Sequence, residues 1–291
     1  MRRRRPCSYG RRFRVQEHPA GLYTCPKALP GEMKEDLLKR CRWPELSEKY
    51  DRALRAAVAF ALDRFDVLGV IACGTIVRGA PDSSSDLDLY VLHREPFRQR
   101  IQKLFYGVPA EIFANSPESV ERYLEEERAR RRPVTAHMLG TGVVVLDLDP
   151  AVEALRKRAA GELHNPPAPT EQELIASRYT AALFLEDAAD VAERDAATAH
   201  LLLGRAVEEM IRYCFVQAGA YHPRAKDLFD ELAKLDSETA VLARRFFGNS
   251  EPANRMEVAV KIADRTIRAH GFFEWESPRA EVEQKTRGKD V

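Results

Sequence analysis

The sequence has almost no surplus of charge: 46 basic residues stand against 45 acidic ones, a formal net charge of +1 over 291 residues. A field strong enough to gather a polyanion is therefore not expected, and nucleic acid is not an expected partner. Long apolar runs are also missing. None reaches the roughly 18 residues that a membrane-spanning helix needs, so no membrane partner is expected. The basic opening, Arg2 to Arg5, is not followed by the apolar stretch of a signal peptide, and the expected location is cytoplasmic. The five cysteines, Cys7, Cys25, Cys41, Cys73 and Cys214, lack the paired short spacings of a zinc site and fit free thiols in a reducing compartment. Cys73, at the end of an apolar strand, reads as a packed thiol rather than a nucleophile. What is present is 45% apolar and 31% charged residues, a globular balance, in a chain long enough for two domains with separate cores.

The most informative stretch is residues 68–92, LGVIACGTIVRGAPDSSSDLDLYVL. Alternation along Asp86-Leu87-Asp88-Leu89-Tyr90-Val91 has period two. As a strand it sets Asp86, Asp88 and Tyr90 on one face and Leu87, Leu89 and Val91 on the other. Two carboxylates side by side repel each other and raise each other's pKa, an arrangement suited to an intervening cation. A hard divalent ion with oxygen ligands, Mg2+ first, fits them. Upstream, Val67 to Cys73 reads as a buried strand. Gly74 and Gly79 allow a tight turn whose N–H groups can face a phosphate, and Thr75 and the Ser83-Ser84-Ser85 run offer hydroxyl donors.

At these residues the chain resembles the nucleotidyltransferase superfamily that includes DNA polymerase beta and the aminoglycoside nucleotidyltransferases. The signature is an apolar strand, Gly followed by Ser or Gly, an intervening loop, then Asp-x-Asp or Asp-x-Glu between apolar residues. Gly74-Thr75 stands for the Gly-Ser pair here, and Asp86-Leu87-Asp88-Leu89 for the carboxylate element. The resemblance implies an enzyme that moves an NMP group from ATP or another NTP to a hydroxyl, with two Mg2+ ions and release of pyrophosphate. It makes Asp86 and Asp88 catalytic metal ligands and asks for a third carboxylate from a later strand. Glu111 in Ala-Glu-Ile-Phe is the matching place. Gly74, Thr75, Arg78 and Ser85 would bind the nucleotide.

In order along the chain, residues 1–44 read as a basic, loosely ordered arm, broken by Pro6, Pro19, Pro26 and Pro30. A helix is expected from Ser47 to about Phe65 with Leu54, Ala57, Val58, Ala61, Leu62 and Phe65 as its apolar stripe. The motif strands come next, then a helix over 96–106 with Ile101, Leu104 and Phe105 inward. Val108 to Ala114 reads as a strand, with Pro109 arguing for an edge or a strand start. Ser116-Pro117 starts a helix whose end carries Arg128, Arg130, Arg131 and Arg132, a basic last turn that complements the helix dipole. Val143 to Leu146 reads as a last strand.

Residues 164–170, HNPPAPT, form a Pro-rich linker between a first domain at 45–163 and a second at 171–275, with a polar tail at 276–291. Thr170-x-x-Glu173 is a capping box, and the second domain is helical throughout: 171–193, 196–217, 223–235, 237–247 and 252–269. The fold class is therefore α+β: a polymerase-beta-like domain of mixed sheet and flanking helices, then an α-helical bundle. That arrangement is similar to the kanamycin-nucleotidyltransferase type, in which the bundle lines the acceptor pocket and can supply a glutamate as general base. The implied acceptor is a small molecule, such as an aminoglycoside-like antibiotic. Candidates for the base are Glu208 and Glu209, with Glu209 taken as the catalytic residue, or Glu186 and Asp187. An acidic pocket would draw on Glu186, Asp187, Asp190, Glu208 and Glu209. Lys226, at a helix start, would hold a phosphate. Two other outcomes stay open: nucleotidylation of a protein or RNA hydroxyl, and a HEPN-like helical module regulated by the first domain, for which Arg194 to His200 and Arg265 to His270 fit the spacing. A homodimer is left open.

Overall fold

The computed structural model describes residues 30–82, 85–248, 252–277 and 279. The arm over 1–29, Ser83 and Ser84, and most of the tail expected at 276–291 lie outside the described residues.

Helix α1 (Gly31–Arg40) lies within the stretch expected as an arm. Leu37 and Leu38 give it an apolar side that packs on the first core, and Arg42 N–H donates to Val145 O at 2.7 Å. Helix α2 (Glu48–Arg64) buries Ala53, Leu54, Ala57, Val58, Ala61 and Leu62 along one stripe, each large side chain contributing roughly 1.5–3 kcal/mol. Strand β1 (Val67–Cys73) is buried at every position, and short helix α3 (Gly74–Val77) comes directly after it. Strands β2 (Leu87–His93), β3 (Arg98–Phe105), β4 (Val108–Asn115) and β5 (Val143–Asp147) complete one sheet in the order β3-β4-β2-β1-β5. β2 and β4 run parallel; β1 with β2, β1 with β5 and β3 with β4 run antiparallel.

The helix expected over 96–106 is strand β3 instead. Arg98 to Phe105 pair with β4 along their whole length, and Tyr106 and Gly107, at φ 50° and 78°, form the two-residue hairpin turn into β4. Both turn residues adopt positive φ, as a turn matching the strand twist requires. β3 is a sheet edge, and its Arg98, Gln99, Arg100, Gln102 and Lys103 are exposed, the charged rim that keeps an unpaired edge from recruiting another strand. Pro109 stands at the second position of β4, an interior strand, so the start position rather than the edge accounts for it.

One face of the sheet carries Leu87, Leu89, Val91 and Ile112 against α2. The other carries Tyr90 and Leu92 against α4 (Pro117–Ala129), α5 (Val134–Thr141) and α6 (Pro150–His164). The second half is helical: α7 (Glu171–Val191), α8 (Ala196–Gln217), a 3-10 turn at Ala225–Asp227, α9 (Leu228–Leu235), α10 (Ser237–Gly248) and α11 (Pro252–Arg265). Leu203, Val207, Met210 and Ile211 of α8 face its core. The helix expected from 223 starts only at Leu228, after the 3-10 turn, and the last ends before Arg268, whose φ is 50°.

The halves meet at Arg131. α4 closes with Arg132 N–H on Glu127 O at 2.9 Å, which puts Arg131 at φ 54°, a left-handed position where glycine is usual. An arginine stands there because its side chain is used: Nε and Nη2 donate to Glu173 at 2.5 and 2.9 Å, and Nη1 to Pro167 O at 2.7 Å. Arg131 is 1% exposed. Its carbonyl accepts His222 N–H at 2.7 Å, and Tyr221 Oη donates to Glu162 O at 2.9 Å. Thr170 caps α7 through Glu173 N–H as the capping box predicts, while the Glu173 carboxylate is held by Arg131.

Candidate active site

β1 delivers the chain to Gly74, and the register sets Cys73 opposite Asp88. Gly74 has φ +86°, and a Cβ there would stand 2.6 Å from Asp88 Oδ2. Glycine is thus required twice, by the backbone angle and by the carboxylate lying on its Cα. The turn beyond is tied by Ala80 N–H to Thr75 O at 3.0 Å, with Gly79 at φ +76°. Thr75 Oγ1 and Ser85 Oγ are 3.1 Å apart, and Ser85 Oγ also accepts from Asp82 N–H at 2.9 Å. These hydroxyls bracket the loop that carries Asp86.

Parallel pairing of β2 with β4 puts Asp88 opposite Glu111. Carboxylate oxygens of Asp86, Asp88 and Glu111 lie within 4.8 Å of one another. Asp86 is exposed, Asp88 half-buried and Glu111 9% exposed. Burial, then the charges of Asp86 and Glu111, pushes the Asp88 carboxyl up to about 6, against the opposing pull of Arg78 and Arg100. Glu111 goes the other way: hydrogen bonds from Arg100 Nε and from Gln102 Nε2, the latter at 3.0 Å, hold it below the usual carboxylate range. Among the described residues, three clustered carboxylates against one contacting guanidinium leave an unneutralised negative charge. An all-oxygen, anionic donor set of this kind fits a hard divalent cation such as Mg2+.

Arg78, exposed at the end of α3, acts on Asp88 and on His137 of α5. Burial, then Arg78 and Arg224, lowers the His137 pKa, so Arg224 of the helical half reaches the same neighbourhood. Arg224 is itself paired with Asp227 at 2.5 Å. Lys226 lies exposed in the turn between them. Cys73 is buried, with its thiol pushed up to about 12 chiefly by burial, as a packed thiol and not a nucleophile would be.

Glu209 stands apart from the three carboxylates. It lies 3.8 Å from Arg212 and lines a cleft of about 310 Å3 at the joint, with Arg130, Glu173, Ser177 and His222. Glu186 lines a different cavity, beside Trp275. Glu186 and Glu209, expected to share one pocket, therefore line different cavities. Arg265 donates to Asp236 at 3.0 Å and His270 Nε2 lies 2.7 Å from Asp264, so each has its own partner. Sequence reasoning missed Arg100 and Gln102 because it placed them on a helix. It missed the Arg131 clamp because its partner is distant in the chain.

No protein-family model matches the chain, and none of the curated proteins does. Among solved structures, a nucleotidyltransferase-like protein from Exiguobacterium sibiricum 255-15 is similar at 16% identity, with a TM-score of 0.48, over 74% of this chain and 73% of that one.

Proposed function

We propose that the protein is a Mg2+-dependent nucleotidyltransferase that moves an NMP group from an NTP, ATP first, to a hydroxyl of a small molecule. The observation that carries this reading is the convergence of Asp86, Asp88 and Glu111 within 4.8 Å beside a glycine turn whose Cα supports one of them. The Gly-Thr and Asp-x-Asp resemblance supports it further.

Phosphoryl-type transfer needs positioning and charge neutralisation more than covalent chemistry from the protein. Asp86 and Asp88 would hold the divalent ions and Glu111 would complete the set; bound there, the ions supply charge neutralisation on the triphosphate and lower the pKa of the acceptor hydroxyl. The Gly74-Thr75 turn and Arg78 would receive phosphate oxygens, and Arg224 and Lys226 would add positive charge from the helical half. Glu209, held beside Arg212, is not favoured as general base by its surroundings.

The test is incubation of the purified protein with each labelled NTP and Mg2+, with a panel of polyhydroxyl compounds, RNA and protein as acceptors. Pyrophosphate release with label transfer to a small molecule is the expected result. RNA or protein labelling would move the acceptor class, and no transfer from any NTP would sink the reading.

A further inference from the structure

A cavity of about 740 Å3 opens on the helical half, between α7 and the chain beyond α11. One wall is a single face of α7, formed by Tyr179, Leu183 and Glu186 at i, i+4 and i+7. The other is the run from Gly271 to Glu276. Arg178 fixes this run: its guanidinium donates to Ile267 O at 2.5 Å and Arg268 O at 3.2 Å, and lies over the Phe273 ring at 4.3 Å. Gly271 packs against Glu186, where a Cβ would come 3.2 Å from the carboxyl carbon.

Packing alone does not explain the lining. Phe272 is 85% exposed, Tyr179 40% and Trp275 37%, although large rings gathered at one opening are costly in water. Tyr179 and Trp275 stand 5.2 Å apart at 45°. The charged lining residues are Glu186, Glu274 and Glu276, with no lysine or arginine among them, and none of the three is ion-paired among the described residues. Ring faces and carboxylates both attract a positive charge. An anion would be repelled, a neutral apolar ligand would leave the carboxylates desolvated and unpaired, and a bare metal ion would make no use of the rings.

We propose that this cavity binds an organic ammonium ion, held by cation–π contact with Tyr179, Phe272 and Trp275 and by the charge of Glu186, Glu274 and Glu276. Its α7 wall lies roughly 9–20 Å along the helix from Glu173 at about 1.5 Å per residue, and the cavity shares no residue with the carboxylate site.

The chain has two tryptophans, so Trp43→Phe leaves Trp275 as the single indole reporter. The full-length variant is titrated with tetramethylammonium chloride and with spermidine, against sodium chloride of matched ionic strength and tert-butanol as a neutral analogue of similar shape. A saturable change in Trp275 emission is expected with at least one of the two ammonium probes and with neither control. Glu186→Gln and Tyr179→Leu should each weaken it about tenfold, while Tyr179→Phe retains it. Circular dichroism confirms that each variant is folded. A flat titration with both cations, an equal response to tert-butanol, or unchanged affinity in folded Glu186→Gln and Tyr179→Leu proteins would overturn the proposal. Asp88→Asn should leave this binding intact, so loss of nucleotidyl transfer and loss of amine binding are separate outcomes.

Discussion

The joint and the carboxylate cluster treat charge in opposite ways. At the joint, Arg131 is buried, yet Glu173 and Pro167 O occupy Nε, Nη1 and Nη2 at 2.5 to 2.9 Å. At the cluster, Asp86, Asp88 and Glu111 crowd together with one contacting guanidinium among the described residues, from Arg100, and that contact falls on Glu111 rather than Asp88. A compensated buried charge holds two parts in register; an uncompensated cluster attracts a counter-charge. The pKa shifts show the same contrast: Glu173 is lowered by Arg131, while Asp88 is raised to about 6.

The widest separation between the two regions should appear in activity. On the proposed function, Asp88→Asn would remove a metal ligand while keeping the side-chain shape, and kcat/KM for nucleotidyl transfer should fall on the order of 10^3 or more. Near-wild-type turnover would remove Asp88 from the mechanism. Glu173→Ala should do the reverse: it leaves the Arg131 guanidinium buried without its partner and should cost about 3 kcal/mol in urea unfolding. If that variant unfolds like the wild type, the joint is not held by this pair.

Gly74→Ala tests the contact between the backbone and the Asp88 carboxylate. The left-handed φ costs roughly 1–2 kcal/mol for any other residue, and the Cβ displaces Asp88 Oδ2, so Mn2+ affinity measured by electron paramagnetic resonance should drop together with stability. The smallest effect is a gain. A carboxyl with a raised folded-state pKa contributes stability that is full below the unfolded value of 3.8 and lost as pH rises through about 6. Metal-free Asp88→Asn should therefore be more stable than wild type at about pH 8, by about 1 kcal/mol once solvent screening is allowed for, or roughly 2–4 °C in Tm. The gap should close below the unfolded value of 3.8. Glu173 has the opposite sign: its contribution is present above 4.5 and lost as pH falls below it. Calorimetry across this range would show whether the two regions titrate in opposite directions.

Much of the sheet-bearing half was legible because its chemistry is local. The period-two run at Asp86 and Asp88, the glycine turn and the α2 stripe are each set by neighbours a few residues away, whereas Glu111 reaches Asp88 across the parallel β2–β4 pairing and was expected there only from the resemblance. The capping box, also local, marked the start of α7. β3 was misread because Ile101, Leu104 and Phe105 also fit a helical spacing, and only the Tyr106-Gly107 turn would have told a hairpin from a helix. That error hid Arg100 and Gln102 from Glu111. Arg131 looked like a residue serving the helix dipole because its real partner is far along the chain. Glu186 and Glu209 shared a helical half but not a pocket, since residue type does not reveal which helix face meets which cleft.

The sheet order has a consequence for assembly. Asp88 belongs to the antiparallel pair β1–β2, and Glu111 to the hairpin β3–β4. Each pair can close through local contacts, whereas the parallel β2–β4 seam joins strands that are not neighbours in the chain and carries the greater loop-closure cost. Neither hairpin alone contains the three-acid set. A cation coordinated by all three would be a staple across the seam, absent until the two hairpins dock and opposing their separation afterwards, so that folding and loading of the site become thermodynamically linked.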